Sequence, residues 1–149
     1  CEFSPATLGR RGEDGHLLLL DCRYRCANHW LPGHRGSFTD DHHLGIREDG
    51  RIVLSSAPPV GSFRPSATRL FESAAEAFGG RMVAVILTGM GDDGVSGLRA
   101  VHAAGGLVIA QDEATSVVYG MPREAARAGV VRTVLPLPDI APHLVEAVS

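Results

Sequence analysis

Lysine is missing from this chain: all 14 basic residues are arginine. Together with the abundance of Ala, Gly, Val and Pro, this reads as a compositional bias and carries no mechanism. A formal net charge of -3 and a pI near 6.2 leave no cationic field of the kind that draws nucleic acid, so no nucleic-acid partner is expected. Long hydrophobic runs are missing too. The longest near-apolar stretches, residues 82–87 and 107–110, fall well short of the roughly 20 residues that a membrane helix needs, so no direct membrane insertion is expected. The opening Cys1-Glu2-Phe3-Ser4-Pro5 lacks the basic start and apolar core of a secretory signal, and a cytoplasmic location is the expectation. Cys1, Cys22 and Cys26 are odd in number and at no familiar disulfide spacing, which favours reduced thiols over a bridged scaffold. With 149 residues, one hydrophobic core can form without staples.

What is present is a pattern. From residue 51 onward, short β-branched runs alternate with amphipathic helical spacing, the signature of a parallel sheet with crossover helices. Residues 51–54 read as a strand. Pro65 stands at a helix start, with Ala67, Leu70, Phe71, Ala74 and Phe78 on one face, and Gly79-Gly80 ends that helix. Strand 82–87 leads through a glycine turn into a helix from Val95, with Leu98 and Val101 inward, stopped by Gly105-Gly106. Strand 107–110 follows, then a short helix from Pro122 to Gly129, strand 130–135, and a last helix over about 139–148. Right-handed crossovers place the turns after Leu87 and Ala110 on the same crevice. In the first fifty residues only 16–22 looks like a strand, and 28–41 has no period.

The glycine turn, Thr88-Gly89-Met90-Gly91-Asp92-Asp93-Gly94, is where the letters speak of chemistry. A strand feeding such a turn and then a helix gathers free N–H groups and the positive end of a helix dipole at the carboxyl edge of a sheet, where ligands of α/β proteins sit. Three readings fit. The letters spell G-x-G-x-x-G, a dinucleotide fingerprint, with Asp112 or Glu113 about 20 residues on as the ribose acid, although Asp92 and Asp93 would repel a pyrophosphate. Asp93 could instead cap the helix at Val95. Or one carboxylate could orient a histidine for a nucleophile, while the loop offers N–H donors to an oxyanion.

Leu87-Thr88-Gly89-Met90-Gly91-Asp92-Asp93-Gly94, then Ile109-Ala110-Gln111-Asp112-Glu113 and Val118-Tyr119-Gly120-Met121-Pro122-Arg123-Glu124-Ala125, resemble in letters and spacing the catalytic domain of the chemotaxis protein-glutamate methylesterase family. Weaker echoes run through Phe63-Arg64-Pro65-Ser66 and Asp41-His42-His43-Leu44 to Pro32-Gly33-His34. The resemblance implies a doubly wound, mainly parallel α/β sheet with helices on both faces. It implies hydrolysis of glutamate methyl esters on methyl-accepting chemotaxis receptors, often with deamidation of receptor glutamines, and a receiver domain as a regulatory partner. It implies Asp93 as the triad acid, Met90 beside the nucleophile, Thr88, Gly89 and Gly91 as the supporting turn, and no cofactor or metal.

The sequence departs from that pattern at the front. The family's nucleophilic serine stands in a Ser-Thr-Gly-Gly turn and its base in a later histidine segment, and neither motif occurs here. Ser37 is a candidate substitute, but a nucleophile needs a base within hydrogen-bond reach. His42 and His43 match no catalytic segment and read as solvated loop residues. Cys22, Cys26 and His29, with His34 nearby, lack the second pair of a zinc site and read as free side chains. The expected organisation is therefore an unrelated or irregular segment 1–31 and a partial catalytic domain 32–149, as a truncated or frame-disrupted gene product would have. It would be inactive alone for want of serine and histidine, and prone to association through an unpaired apolar sheet edge.

Overall fold

The computed structural model describes residues 41–147 and the backbone of residues 17–21. In chain order the elements are β1 (Leu17–Asp21), β2 (His43–Ile46), β3 (Ile52–Ser55), α1 (Ala67–Phe78), β4 (Met82–Ile86), α2 (Val95–Ala103), β5 (Leu107–Gln111), α3 (Met121–Arg127), β6 (Thr133–Leu135) and α4 (Leu137–Ala147). Four strands form a parallel sheet in the order β1-β4-β5-β6, with Leu17 opposite Met82, Val83 opposite Leu107 and Ile109 opposite Thr133.

β4 is apolar without alternation, and every one of its residues is buried. Such a run is stable as a strand only when both of its faces are covered. Met82, Ala84 and Ile86 join Val108 and Ala110 of β5 in a core with Leu70, Phe71, Leu98, Val101 and Ala125 of the first three helices. Val83, Val85 and Ile109 point the other way, against Ile140 and Leu144 of α4. Helices thus lie on both faces, as the family resemblance implied. α1 buries Leu70, Phe71, Ala74 and Phe78 at the predicted three- and four-residue spacing, and Gly79 ends it with φ 56°.

Residues 51–54 correct the sequence reading. They form a strand, but outside the parallel sheet: β3 pairs antiparallel with β2, Ile46 opposite Ile52 and Leu44 opposite Leu54. A central parallel strand would be buried on both faces, whereas Ile52 and Leu54 are 40% and 45% exposed. Asp49-Gly50 makes the turn, Gly50 at φ 80° with its N–H donating to the Arg47 carbonyl at 2.8 Å. A D-G pair between two short apolar runs is a hairpin signal in its own right.

The hairpin is tied to the loop before α1 at one charged contact. The Arg64 guanidinium donates through Nε to Asp41 Oδ1 at 2.8 Å and through Nη1 to the Ala57 carbonyl at 3.3 Å. The hydrogen bond from Arg64 holds the Asp41 carboxyl below its ordinary value of 3.8. A carboxylate with a lowered folded-state pKa contributes stability that is present above the unfolded value and disappears as pH falls through the folded one. Asp41 is 75% exposed, so the contribution is small and screened by salt. Below about pH 4 the parent chain is therefore expected to lose slightly more stability than Asp41→Asn. Urea midpoints measured down the acid limb check this, and parallel curves would refute it.

Candidate active site

Where β4 ends, the chain turns back on the loop that follows β5. Gln111 is 1% exposed; its Oε1 accepts the Thr88 N–H at 2.8 Å and its Nε2 donates to the Thr115 carbonyl at 2.7 Å. Thr88 Oγ1 accepts the Val118 N–H at 2.8 Å, and the Gly89 N–H donates to the Val118 carbonyl at 3.0 Å. The turns after β4 and β5 thus form one wall, as the crossover rule predicted. A Cβ on Gly89 would lie 2.4 Å from Met121 Sδ, so any larger residue there would require the buried Met121 side chain to shift. Beyond it the turn stands open, with Met90 78% exposed, Gly91 at φ 90° and Asp92 exposed.

Asp93 goes the opposite way, into the protein, and is 4% exposed. Its Oδ1 accepts the Ser66 hydroxyl at 2.6 Å, the Thr68 hydroxyl at 3.2 Å and the Thr68 N–H at 3.4 Å; its Oδ2 accepts the Ala67 N–H at 2.8 Å. These four groups are all donors, and an ionised carboxylate, which only accepts, satisfies them. They sit at the start of α1, so the carboxylate also meets the positive end of that helix dipole.

This corrects the capping reading. Asp93 caps α1, through the Ala67 and Thr68 amides, while the N-cap of the helix that it precedes is Gly94, φ 92°. The Val95 N–H is already satisfied by the Asp92 carbonyl at 3.1 Å. With the chain turning through the left-handed region at Gly94, the acid is delivered to the neighbouring helix instead. A Cβ on Gly94 would approach Ala67 Cβ at 3.2 Å and a Phe71 ring carbon at 3.3 Å.

His43 is a second correction. It is not a solvated loop residue but lies on β2 and is 2% exposed. Its Nδ1 accepts the Ser66 N–H at 3.2 Å, which leaves Nε2 to carry the proton and donate to the Pro58 carbonyl at 3.0 Å. Packing of β2 against α1 removes the ring from water and supplies the Ser66 partner, and the loop between β3 and α1 supplies Pro58. His42, just before the strand, is half-buried.

Of the two acids considered for a ribose, Asp112 accepts the Thr115 N–H at 3.0 Å and the Thr115 hydroxyl within its own loop, and Glu113 is exposed. Ser37, Cys1, Cys22, Cys26, His29 and His34 lie outside the described residues. Among the described residues no cluster of His, Cys, Asp and Glu is placed to hold a metal ion, and no helix is long and apolar enough to cross a membrane.

The sequence reading picked out Asp93 but missed the residues that hold it. Ser66 and Thr68 were legible only as a polar pair just after Pro65, and nothing local connects them to a turn 25 residues away. Gln111 was visible only as part of a motif.

A doubly wound α/β domain with an acid-bearing glycine turn at the carboxyl end of a central strand is the class so defined. The chain belongs to the CheB methylesterase family, whose sequence pattern matches residues 28–144. It is 53% identical over 117 residues to protein-glutamate methylesterase/protein-glutamine glutaminase 4 of Myxococcus xanthus, an alignment covering 78% of this chain and 33% of that protein. It is 51% identical over 107 residues to the protein-glutamate methylesterase FrzG of Myxococcus xanthus, covering 72% of this chain and 32% of the relative. The fold matches the crystal structure of the Thermotoga maritima CheB methylesterase catalytic domain with a TM-score of 0.68 at 37% identity, over 72% of this chain and 58% of that one. The chain thus spans about a third of the length of the curated relatives it matches.

Proposed function

We propose that this chain carries the acid arm of a protein-glutamate methylesterase site, with Asp93 as the acid that orients a histidine base. The observation that supports it most is the buried carboxylate of Asp93, in the turn after β4, gripped by four donors at the start of α1. In such a site a serine Oγ attacks the ester carbonyl while the histidine takes its proton, and methanol leaves with that proton. Water then releases the glutamate from the acyl-serine, and the acid holds the imidazole in the right tautomer throughout. Thr88, Gly89, Met90 and Gly91 are the supporting turn beside that serine. The substrates proposed are methylated glutamates of chemotaxis receptors in the cytoplasm, with deamidation of receptor glutamines as the companion reaction and a receiver domain as the regulatory partner.

The sequence contains neither the Ser-Thr-Gly-Gly turn nor the family's base segment, so the chain by itself is proposed to be inactive. The segment 1–31, whose strand β1 pairs with β4, is proposed to be unrelated in sequence to the catalytic domain. Release of labelled methanol from methylated receptor should stay at background with the purified chain. When the missing serine and histidine segments are grafted on, release should appear, and Asp93→Asn should lower kcat on the order of ten-thousandfold. Release by the ungrafted chain that Asp93→Asn abolishes would overturn the proposed inactivity. A graft whose rate ignores Asp93→Asn would overturn the acid's role. Micromolar NAD binding weakened by Asp112→Ala would favour the dinucleotide reading, to which the inward engagement of Asp112 lends no support.

A further inference from the structure

We infer that Ser66 and Thr68 are positioning residues for Asp93, so that helix α1, rather than the glycine turn, fixes the orientation of the acid. The inference deepens the methylesterase reading and rests on it for its catalytic meaning.

At the start of α1 an ordinary capping bond is not made. Ser66 occupies the N-cap of α1, with extended backbone at φ -119°, ψ 132°, where a serine hydroxyl ordinarily accepts a backbone N–H from two or three residues on. It makes no capping bond. Its hydroxyl donates outward instead, to Asp93 Oδ1 at 2.6 Å, and the carboxylate takes over the capping by accepting the Ala67 and Thr68 N–H groups. If the helix only needed a cap, Ser66 alone would supply it. An acid brought from another element and gripped by two hydroxyls as well as two amides is an arrangement that orients the acid.

Thr68 holds both the side chain and the backbone at this point. Its hydroxyl donates to Asp93 Oδ1 at 3.2 Å and accepts the Gly94 N–H at 2.9 Å, so the residue after the acid is tied to the same oxygen. Ser66 is in turn fixed from behind. Its N–H donates to His43 Nδ1, and the ring is anchored through Nε2 on the Pro58 carbonyl. Because Oδ1 is held mainly by hydroxyls and Oδ2 by the Ala67 amide, rotation of the carboxyl group breaks bonds on both oxygens. Catalytic geometry needs that kind of restraint, since small misplacements of a reacting or orienting group cost rate steeply.

The chain itself provides the test. With [4-¹³C]aspartate incorporated, Ser66→Ala and Thr68→Val should each displace the Asp93 carboxyl resonance and speed amide exchange at Ala67 roughly tenfold. Ser66→Thr and Thr68→Ser should restore both. Protection of the Ala110 amide in β5 reports that the core is intact; should one deletion lose it, the variant pair at the other position decides the outcome. An unmoved carboxyl resonance in the deletions, or conservative variants as disruptive as the deletions, would overturn the inference. Neither readout depends on ester hydrolysis, so a failure of the methylesterase reading would show in the methanol assay and leave this result standing.

Discussion

Asp93→Ala is expected to lower the unfolding free energy by about 3 kcal/mol, through loss of interactions to α1 rather than to its own turn. The substitution leaves the Ser66 and Thr68 hydroxyls and the Ala67 and Thr68 amides without their acceptor, at a place only 4% exposed to water. A hydrogen bond to a charged acceptor contributes about 1.5–3 kcal/mol, and the contributions within one cluster are not additive, which sets the figure well below the sum. In a domain of this size the loss corresponds to a fall in Tm of roughly 10 °C. Asp93→Asn retains one carbonyl oxygen but turns an NH₂ group towards a donor, and should cost about half as much. Urea unfolding of the three proteins measures this directly. A loss of less than about 1 kcal/mol for alanine would mean that water or another group replaces the carboxylate, and the clamp at α1 would be discarded. A loss of about 3 kcal/mol would instead give Asp93 a stabilising role at α1 that does not depend on any catalytic one.

The second large effect is expected at Gly97, in the first turn of α2. A Cβ there would lie 2.5 Å from the Thr68 carbonyl oxygen, 2.7 Å from Phe71 Cβ and 3.0 Å from Thr68 Cα. In an isolated helix, alanine is preferred to glycine by about 1 kcal/mol, so propensity alone predicts that Gly97→Ala stabilises. The close approach of α1 reverses the sign. The obstacle is backbone, which cannot rotate aside, and overpacking of a close-packed core typically costs about 1–3 kcal/mol. A net destabilisation of about 2 kcal/mol is expected, by urea or thermal unfolding. Separation of α1 from α2 would also draw Thr68 away from Asp93, so the carboxyl resonance of Asp93 should move in this variant too. A variant as stable as the parent would show that the helices slide apart freely, and that Gly97 is not the contact that sets their spacing.

The element order was legible because each element announces itself locally. The spacing of Leu70, Phe71, Ala74 and Phe78 fixes a helix face, and Gly79-Gly80 and Gly105-Gly106 stop helices where the structure ends them. The unbroken apolar run in β4 announces a strand covered on both faces. Residues 52–55 misled because an apolar run says that a strand forms and not which partner it takes. The sign of its pairing lay in Asp49-Gly50 and in the strand before it, whose His43 reads as polar loop. His43 is polar by composition and core by position, since its two ring nitrogens find partners 15 and 23 residues away.

By itself the sequence determined that this is an α/β chain with an acid-bearing turn at the carboxyl end of an apolar strand, and the motifs from Leu87 to Ala125 sufficed to suggest its family. These are properties of short windows, where periodicity and turn chemistry act between neighbours. Only the tertiary structure decided what the acid touches. Asp93 could have capped α2, faced a ligand or turned inward; it reaches Ser66, Ala67 and Thr68 because Gly94 adopts φ 92° and Gly97 lets α1 lie against α2. Hydrogen bonds between residues more than 20 positions apart depend on how two helices pack, and packing is a property of the whole core.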